Sequence, residues 1–257
     1  MHTLKSASEV EIMAEGGRIL ATVLKRVRAE TKVGVTTKQL DSLSRELIKS
    51  SGALPAFLGY RSAGSKKPFP ATLCISINEI IVHGQPSKRE IKDGDIVKLD
   101  LGLRYRGFYL DSAITLPVGK VSAGASKLIS VTKKALDLAI REARPGKTLG
   151  HIGYAVQRYV EKNKFSVVRS LTGHGIGRDL HEDPSVFNFG KPGTGDEIVV
   201  GMVLAIEPMV AMSNPPEGGR IKQLSDDSFA IADGSLSAHF EHTVAITRYG
   251  PRILTIA

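Results

Sequence analysis

Two stretches of this chain repeat one another in outline. Residues 7–29 set Val10, Met13, Ile19, Leu20, Val23, Leu24 and Val27 on one helical stripe, and residues 124–142 do the same with Leu128, Val131, Ala135 and Leu138. Each stripe ends at a Gly-x-Thr, Gly34-Val35-Thr36 in one case and Gly146-Lys147-Thr148 in the other. The threonines can cap shorter helices, one carrying Leu40, Leu43 and Leu47 ahead of Gly52, the other Ile152, Val156 and Val160. β-prone segments follow each helix pair: residues 73–82, 96–103 and 108–116, then residues 167–171, 202–208 and 239–248. A chain written as helix, helix, sheet twice over predicts the α+β class, with a pseudo-two-fold antiparallel sheet and helices covering one side. No Pro/Gly/Ser linker separates the halves, about 1–120 and 121–257, so residues 1–257 read as a single domain.

The chain has one cysteine, Cys74, which can neither close an internal disulfide nor build a structural zinc cluster. That points to a reducing compartment. The first residues lack the apolar core of a signal peptide and no run approaches 18 apolar residues, so a cytoplasmic protein without a membrane span is expected. Lys and Arg number 35 against 26 Asp and Glu, a formal charge of +9. Such an excess favours polyanions such as ribosomal RNA, although a lysine-rich soluble surface is the simpler explanation, and no aromatic-rich RNA-binding motif accompanies it. Nothing suggests DNA as a partner.

Carboxylates stand where strands should be apolar. Residues 96–115 read as a hairpin with its turn near residues 104–107, and Asp100 and Asp111 interrupt its β-prone runs. A turn centred between Tyr105 and Arg106 sets the two aspartates directly opposite; one centred on Arg106-Gly107 makes them diagonal neighbours. In either register the carboxylates approach within about 5–8 Å. On this segment alone, a solvated hairpin with two surface aspartates would do as well. The second half supplies the counterpart: Glu207 lies in apolar residues 202–210 and Glu241 in residues 238–246. An ionised glutamate there is costly unless paired or metal-bound. Four strand carboxylates, two from each half, suit a pair of bridged divalent cations.

A histidine would complete such a site. His174 sits between Gly173 and Gly175, where the backbone can turn tightly and expose the imidazole. His181 and His83 are further candidates, beside glycine-rich or strand-end segments. His2, His151, His239 and His242 have weaker cases: His151 falls in a helix, and His242 points to the opposite face from Glu241 if that segment is extended.

With these residues in place the chain resembles the type I methionine aminopeptidases, which share the pita-bread (creatinase/aminopeptidase) fold. The resemblance runs from Ile12 to Thr247 and rests on motifs in order: Ser76-Ile-Asn-Glu79 leading to His83-Gly84, Asp100 and Asp111, Thr172-Gly-His-Gly-Ile-Gly-Arg178, His181-Glu182, Ile206-Glu-Pro208, and Ser235-Leu-Ser-Ala-His-Phe-Glu-His-Thr243. It implies a single catalytic domain that removes the initiator methionine from nascent polypeptides, preferring a small second residue. It also implies Asp100, Asp111, His174, Glu207 and Glu241 as ligands of two divalent ions, with Asp111 and Glu241 bridging. A water activated by that pair attacks the first peptide bond, Glu207 carries the proton to the leaving amine, His83 contacts the substrate beside the scissile bond, and His181 donates to the developing oxyanion.

By the same resemblance Phe57, Tyr60, Cys74 and Leu180 line the methionine pocket. Cys74 reads equally as a small buried hydrophobe. Family patterns place an aromatic at the position of Leu180 and often a Trp near Asp227, whereas this chain has no Trp. Residues 61–72 are longer than in the shortest family members and read as a lip over the site. A monovalent cation site near Asn78 and Ser237 is also implied. Carboxylates with one imidazole are mostly hard ligands that suit Mn, Fe or Co, with Zn and Ni also compatible. The expected partners are methionine-terminal peptides, with ribosome association as a further expectation, and the expected state is a monomer. Two readings compete: an Xaa-Pro peptidase on the same fold, disfavoured by a first helix that begins almost at Met1, and a non-catalytic peptide- or ribosome-binding module, disfavoured by a complete ligand set.

Overall fold

A computed structural model of the chain describes residues 3–61, 67–216 and 218–257. Ser6 caps helix α1 (Ala7–Glu30), and its hydroxyl and backbone N–H pair reciprocally with Glu9. Thr36 and Gln39 form the same box on α2 (Thr37–Ser50), so two free N–H groups are satisfied at each start. Ser122 caps α3 (Ala123–Glu142), and Thr148 precedes α4 (Leu149–Lys162).

The two Gly-x-Thr connections are built alike. Gly34 (φ 85°) donates to Ile91 O at 2.9 Å and Gly146 (φ 80°) to Ile198 O at 3.2 Å. Thr36 bridges to Glu90 as Thr148 bridges to Glu197.

In the first half, β1 (Leu54–Pro55) and β2 (Leu73–Ile77) lie along one edge of β4 (Ile96–Tyr105), and β5 (Phe108–Pro117) lies along the other. In the second half the strand order is β15 (Gly250–Ile253), β14 (His242–Thr247), β9 (Val203–Ile206), β7 (Thr172–Gly175), β8 (Glu182–Phe187). Two small sheets complete the fold. One holds β6 (Ser166–Val167), β10 (Met209–Ala211) and β13 (Ser237–His239); the other holds β3 (Ile80–Val82), β11 (Ile221–Gln223) and β12 (Phe229–Ile231). All strand pairs are antiparallel.

The halves are stitched along β5. Glu241 N–H donates to Ala113 O at 2.9 Å and Ala113 N–H returns a 3.4 Å bond to Glu241 O. Thr115 Oγ1 donates to His239 O at 2.6 Å, and Thr243 Oγ1 donates to Asp111 O at 2.8 Å. Helices lie behind this surface. Val97, Leu99, Leu101 and Leu103 of β4 join a core with Met13, Leu20 and Leu40 of α1 and α2. Side chains alternate along a strand, so Lys98, Asp100 and Gly102 take the opposite face. In the second half Leu128, Val131, Ile152 and Val156 of α3 and α4 pack with Leu204, Val244 and Ile246.

Several sequence-based boundaries shift. Residues 73–82 form two strands, split at Asn78 in the left-handed region (φ 55°). Residues 167–171 are mostly irregular, and the strand of that region is β7 instead. Residues 202–208 shorten to β9, ending before Glu207-Pro208, where proline has no N–H for the ladder. Residues 239–248 are interrupted at Phe240-Glu241. No described helix is long and apolar enough to cross a membrane.

Candidate metal centre

The register of β4 on β5 decides how the first two carboxylates stand. The hairpin turns through Arg106 (φ 46°) and Gly107 (φ 90°), both left-handed as a two-residue hairpin turn requires. Asp100 therefore faces Ala113 and Asp111 faces Gly102, which makes the aspartates diagonal neighbours on the face away from α1. Glu241 meets Ala113 from the other side through the bonds that join the halves. On β14 the register sets His242 opposite Ile206, which brings Glu241 alongside Glu207 at the ends of those strands. His174 lies opposite Ala205 on the next strand. One lateral row, from β4 and β5 past the ends of β14 and β9 to β7, thus gathers every carboxylate and the histidine that the sequence nominated.

Ligand atoms of Asp111, His174 and Glu241 lie within 4.8 Å of one another, and all three residues are buried. His174 Nε2 is 3.7 Å from Glu207 Oε1. Its Nδ1 is 2.8 Å from Gly175 O; a ring N–H donated there leaves the Nε2 lone pair free for a cation. The glycines beside His174 serve close packing rather than a tight turn. A Cβ at Gly173 would stand 2.3 Å from Ala205 O, and one at Gly175 equally close to Asp183 O.

Buried Asp100 Oδ1 and Glu241 Oε1 find no hydrogen-bond partner among the described residues. Burial, reinforced by the neighbouring carboxylates, pushes Asp111 and Glu241 well above the usual carboxylate range. Burial also raises Asp100 to about 7, with His239 opposing and Glu207 adding, and raises Glu207 to about 7 against the pull of His174. Acids so placed repel one another when ionised, and buried carboxylate oxygens without a hydrogen-bond partner are what a divalent cation satisfies. The donor set fits a metal.

The row opens into a cavity of about 590 Å³ whose walls include every residue nominated as a divalent-metal ligand, catalytic group or part of the methionine pocket; Asn78 and Ser237 are not among them. Cys74 pairs with Asp100 across β2 and β4 and forms part of the wall, with its thiol pushed up by burial and by the aspartates. Phe57 lies against Gly102, where a Cβ would come within 2.7 Å of its ring. Leu180 is buried, and Tyr60 Oη is 2.6 Å from His181 Nδ1. The His181 ring stands 4.3 Å from that of His174, and burial, with His174 and His83 adding, lowers its pKa to about 3. His83 (φ 60°) rests 5.6 Å from the Phe229 ring. Lys67, Pro68 and Phe69 form one rim and Ser225, Asp226 and Asp227 another; residues 62–66 of the expected lip lie outside the described residues.

Two residues in this centre were missed or undervalued. His239, on β13, places Nε2 3.2 Å from Glu207 Oε2 and is buried. Its strand alternation was the signal, since it shares a face with neighbouring Glu241 across the interruption. Lys98 is 1% exposed, and its ammonium occupies the position that the resemblance gave to a monovalent cation, 2.7 Å from Asn78 O and 2.9 Å from Ser237 O. Burial lowers its pKa to about 7, against the pull of Glu79 and Asp95. The remaining histidines lie elsewhere: His242 bonds Thr255 Oγ1 at 2.8 Å, His151 sits beside Thr148 at the start of α4, and His2 is outside the described residues.

Comparison with known proteins agrees with this geometry. Residues 11–248 match the model of metallopeptidase family M24. The chain is 45% identical over 253 residues to methionine aminopeptidase 1 of Bacillus subtilis, covering 98% of each. Its fold matches the crystal structure of methionine aminopeptidase from Rickettsia prowazekii with a TM-score of 0.94 at 38% identity, covering all of both chains. An Xaa-Pro dipeptidase from Bacillus anthracis shares the fold at a TM-score of 0.75, with 20% identity over 99% of this chain and 62% of its own. The chain belongs to metallopeptidase family M24, among its methionine aminopeptidases.

Proposed function

We propose that this chain removes the initiator methionine from new polypeptides whose second residue is small. The observation that carries the reading is the convergence of Asp100, Asp111, His174, Glu207 and Glu241 at one end of a cavity walled by Phe57, Tyr60, Cys74 and Leu180. These five residues would hold two divalent ions, with Asp111 and Glu241 between them. When bound, the ions would supply Lewis-acid polarisation of the scissile carbonyl and an ionised water as nucleophile.

The chain's own residues do the rest. Glu207, beside His174 and His239, is placed to take a proton and pass it to the leaving amine. A Tyr60 hydroxyl that donates to His181 Nδ1 leaves the ring proton on Nε2. His181 is then a neutral donor at working pH, suited to an oxyanion as it forms. His83 lines the same cavity and is placed to contact the substrate beside the scissile bond. The thiol, the aromatic rings and Leu180 accept an unbranched thioether side chain. Mn, Fe or Co suits these ligands, with Zn and Ni also compatible.

The test is methionine release from Met-Gly-Met-Met and Met-Leu-Met-Met by metal-stripped protein, with and without added Mn(II) or Co(II). Metal-dependent release from the first peptide alone is expected. No release from folded protein under any metal would leave the proline-directed or non-catalytic readings, which Xaa-Pro peptides would separate. The charge of +9 also supports association with ribosomes. Co-sedimentation that weakens with salt is expected, and no binding at low salt would end that part of the proposal.

A further inference from the structure

Lys98 is among the largest fully buried side chains of the protein, and it forms no ion pair among the described residues. Its Nζ donates instead to Asn78 O at 2.7 Å, Ser237 O at 2.9 Å and Ser237 Oγ at 3.2 Å. Three acceptors match the three N–H bonds of an ammonium: the Ser237 hydroxyl proton is donated to Asn78 O at 2.9 Å, which leaves Ser237 Oγ as the acceptor for the third. A positive centre caged by carbonyl and hydroxyl oxygens, without a carboxylate, has the chemistry of an alkali-ion site.

The cage is firmly held. Asn78, in the left-handed turn between β2 and β3, fixes its side chain to Asp95 and to Ile96 N–H at 2.8 and 3.0 Å. Its carbonyl also accepts from Ser237 N–H at 3.0 Å and Ser237 Oγ at 2.9 Å. Three elements meet at the ammonium: β4 of the first half, the β2–β3 turn, and β13 of the second half. Lys98 precedes Asp100 by two residues on the same face, and Ser237 leads directly into His239 and Glu241.

We propose that the Lys98 ammonium is a built-in monovalent cation, a tethered replacement for a sodium or potassium ion, which ties β13 to β4 and thereby sets Glu241 against Asp100. Lys98 is a positioning residue in this account. The chain is therefore independent of alkali ions, and removing the lysine creates a site for one.

Thermal melting of metal-stripped protein in choline, sodium and potassium chloride at equal ionic strength tests this without reference to catalysis. The wild-type chain melts at the same temperature in all three salts. Lys98→Ala melts on the order of 5 °C lower in choline, and sodium or potassium restores most of the loss in a saturable manner. Lys98→Met, which fills the cage with an apolar chain, stays low in every salt. A parallel readout is Mn(II) affinity of Lys98→Ala, weaker by roughly tenfold in choline and regained with the alkali ion. A wild-type melting temperature that rises saturably with sodium or potassium would overturn the proposal, as would a Lys98→Ala protein indifferent to the cation. The wild-type arm stands even if a variant fails to fold.

Discussion

The two halves bring their carboxylates to the centre on different backbones. In the first, Asp100 and Asp111 stand inside strands of ten residues each, paired without interruption from Ile96–Pro117 to Tyr105–Phe108. In the second, Glu207 falls between β9 and β10 and Glu241 between β13 and β14. The chain paths remain equivalent. Gly94 donates to Val118 O as Gly201 donates to Ile246 O, and Asp100 and Glu207 follow those glycines by the same interval, 94 to 100 and 201 to 207. A short aspartate needs a regular strand to deliver it, whereas a glutamate, longer by one methylene, reaches the same place from a broken one. The repeat preserves the position of the charge while the local structure beneath it has changed.

If the halves build one centre, a conservative loss in either should do equal damage. Asp111→Asn and Glu241→Gln are each expected to lose metal and lower kcat/KM by at least about 10³-fold, read by metal content and peptide release. A large loss in one with near-normal activity in the other would break the comparison. His181→Ala sharpens it by separating substrate chemistry from metal binding: turnover should fall about 10²–10³-fold with metal content unchanged. Unchanged turnover would remove His181 from the oxyanion role. Tyr60→Phe deletes only the bond to Nδ1, so a fall of roughly tenfold in kcat is expected, with little change in metal affinity.

The smallest effect concerns pH. In metal-stripped protein Asp100 and Glu207 are raised by burial to about 7, and Asp111 and Glu241 are raised as well. Groups whose folded pKa exceeds the unfolded value stabilise at low pH, and that contribution is lost as pH rises through the folded pKa. Lys98, lowered by burial to about 7, opposes this above pH 7, but as one group against four carboxylates; His181 and His239, lowered by burial to about 3 and about 4, oppose it only below their ordinary value of 6.5. The metal-stripped protein should therefore melt several degrees higher at pH 6.5 than at pH 8.5, and bound metal should remove the difference. Equal slopes with and without metal would mean that these carboxylates are not the ligands.

Much of this was legible because Asp and Glu are out of place in apolar strands, so Asp100, Asp111, Glu207 and Glu241 stand out without any knowledge of the sheet. The helices were equally plain, with their stripes, Gly-x-Thr breaks and caps. Lys98 was not. Between Val97 and Leu99 it looks like the solvent-facing member of an alternating strand, and only the arrival of Asn78 and Ser237 from distant segments buries it. His239 was legible but undervalued, since two residues before Glu241 it shares that residue's face of an extended segment. The hairpin register was open between two turns until the left-handed Arg106-Gly107 pair decided it, and the glycines around His174 proved to serve strand packing.

The most direct test of the shared centre is calorimetric titration of Mn(II) into metal-stripped wild-type protein, Asp100→Asn and Glu207→Gln. The account predicts two equivalents bound by the wild type and the loss of at least one, with weakened affinity for the other, in each variant. Wild-type stoichiometry and affinity in either variant would show that the metal is held by one half alone, and would contradict it.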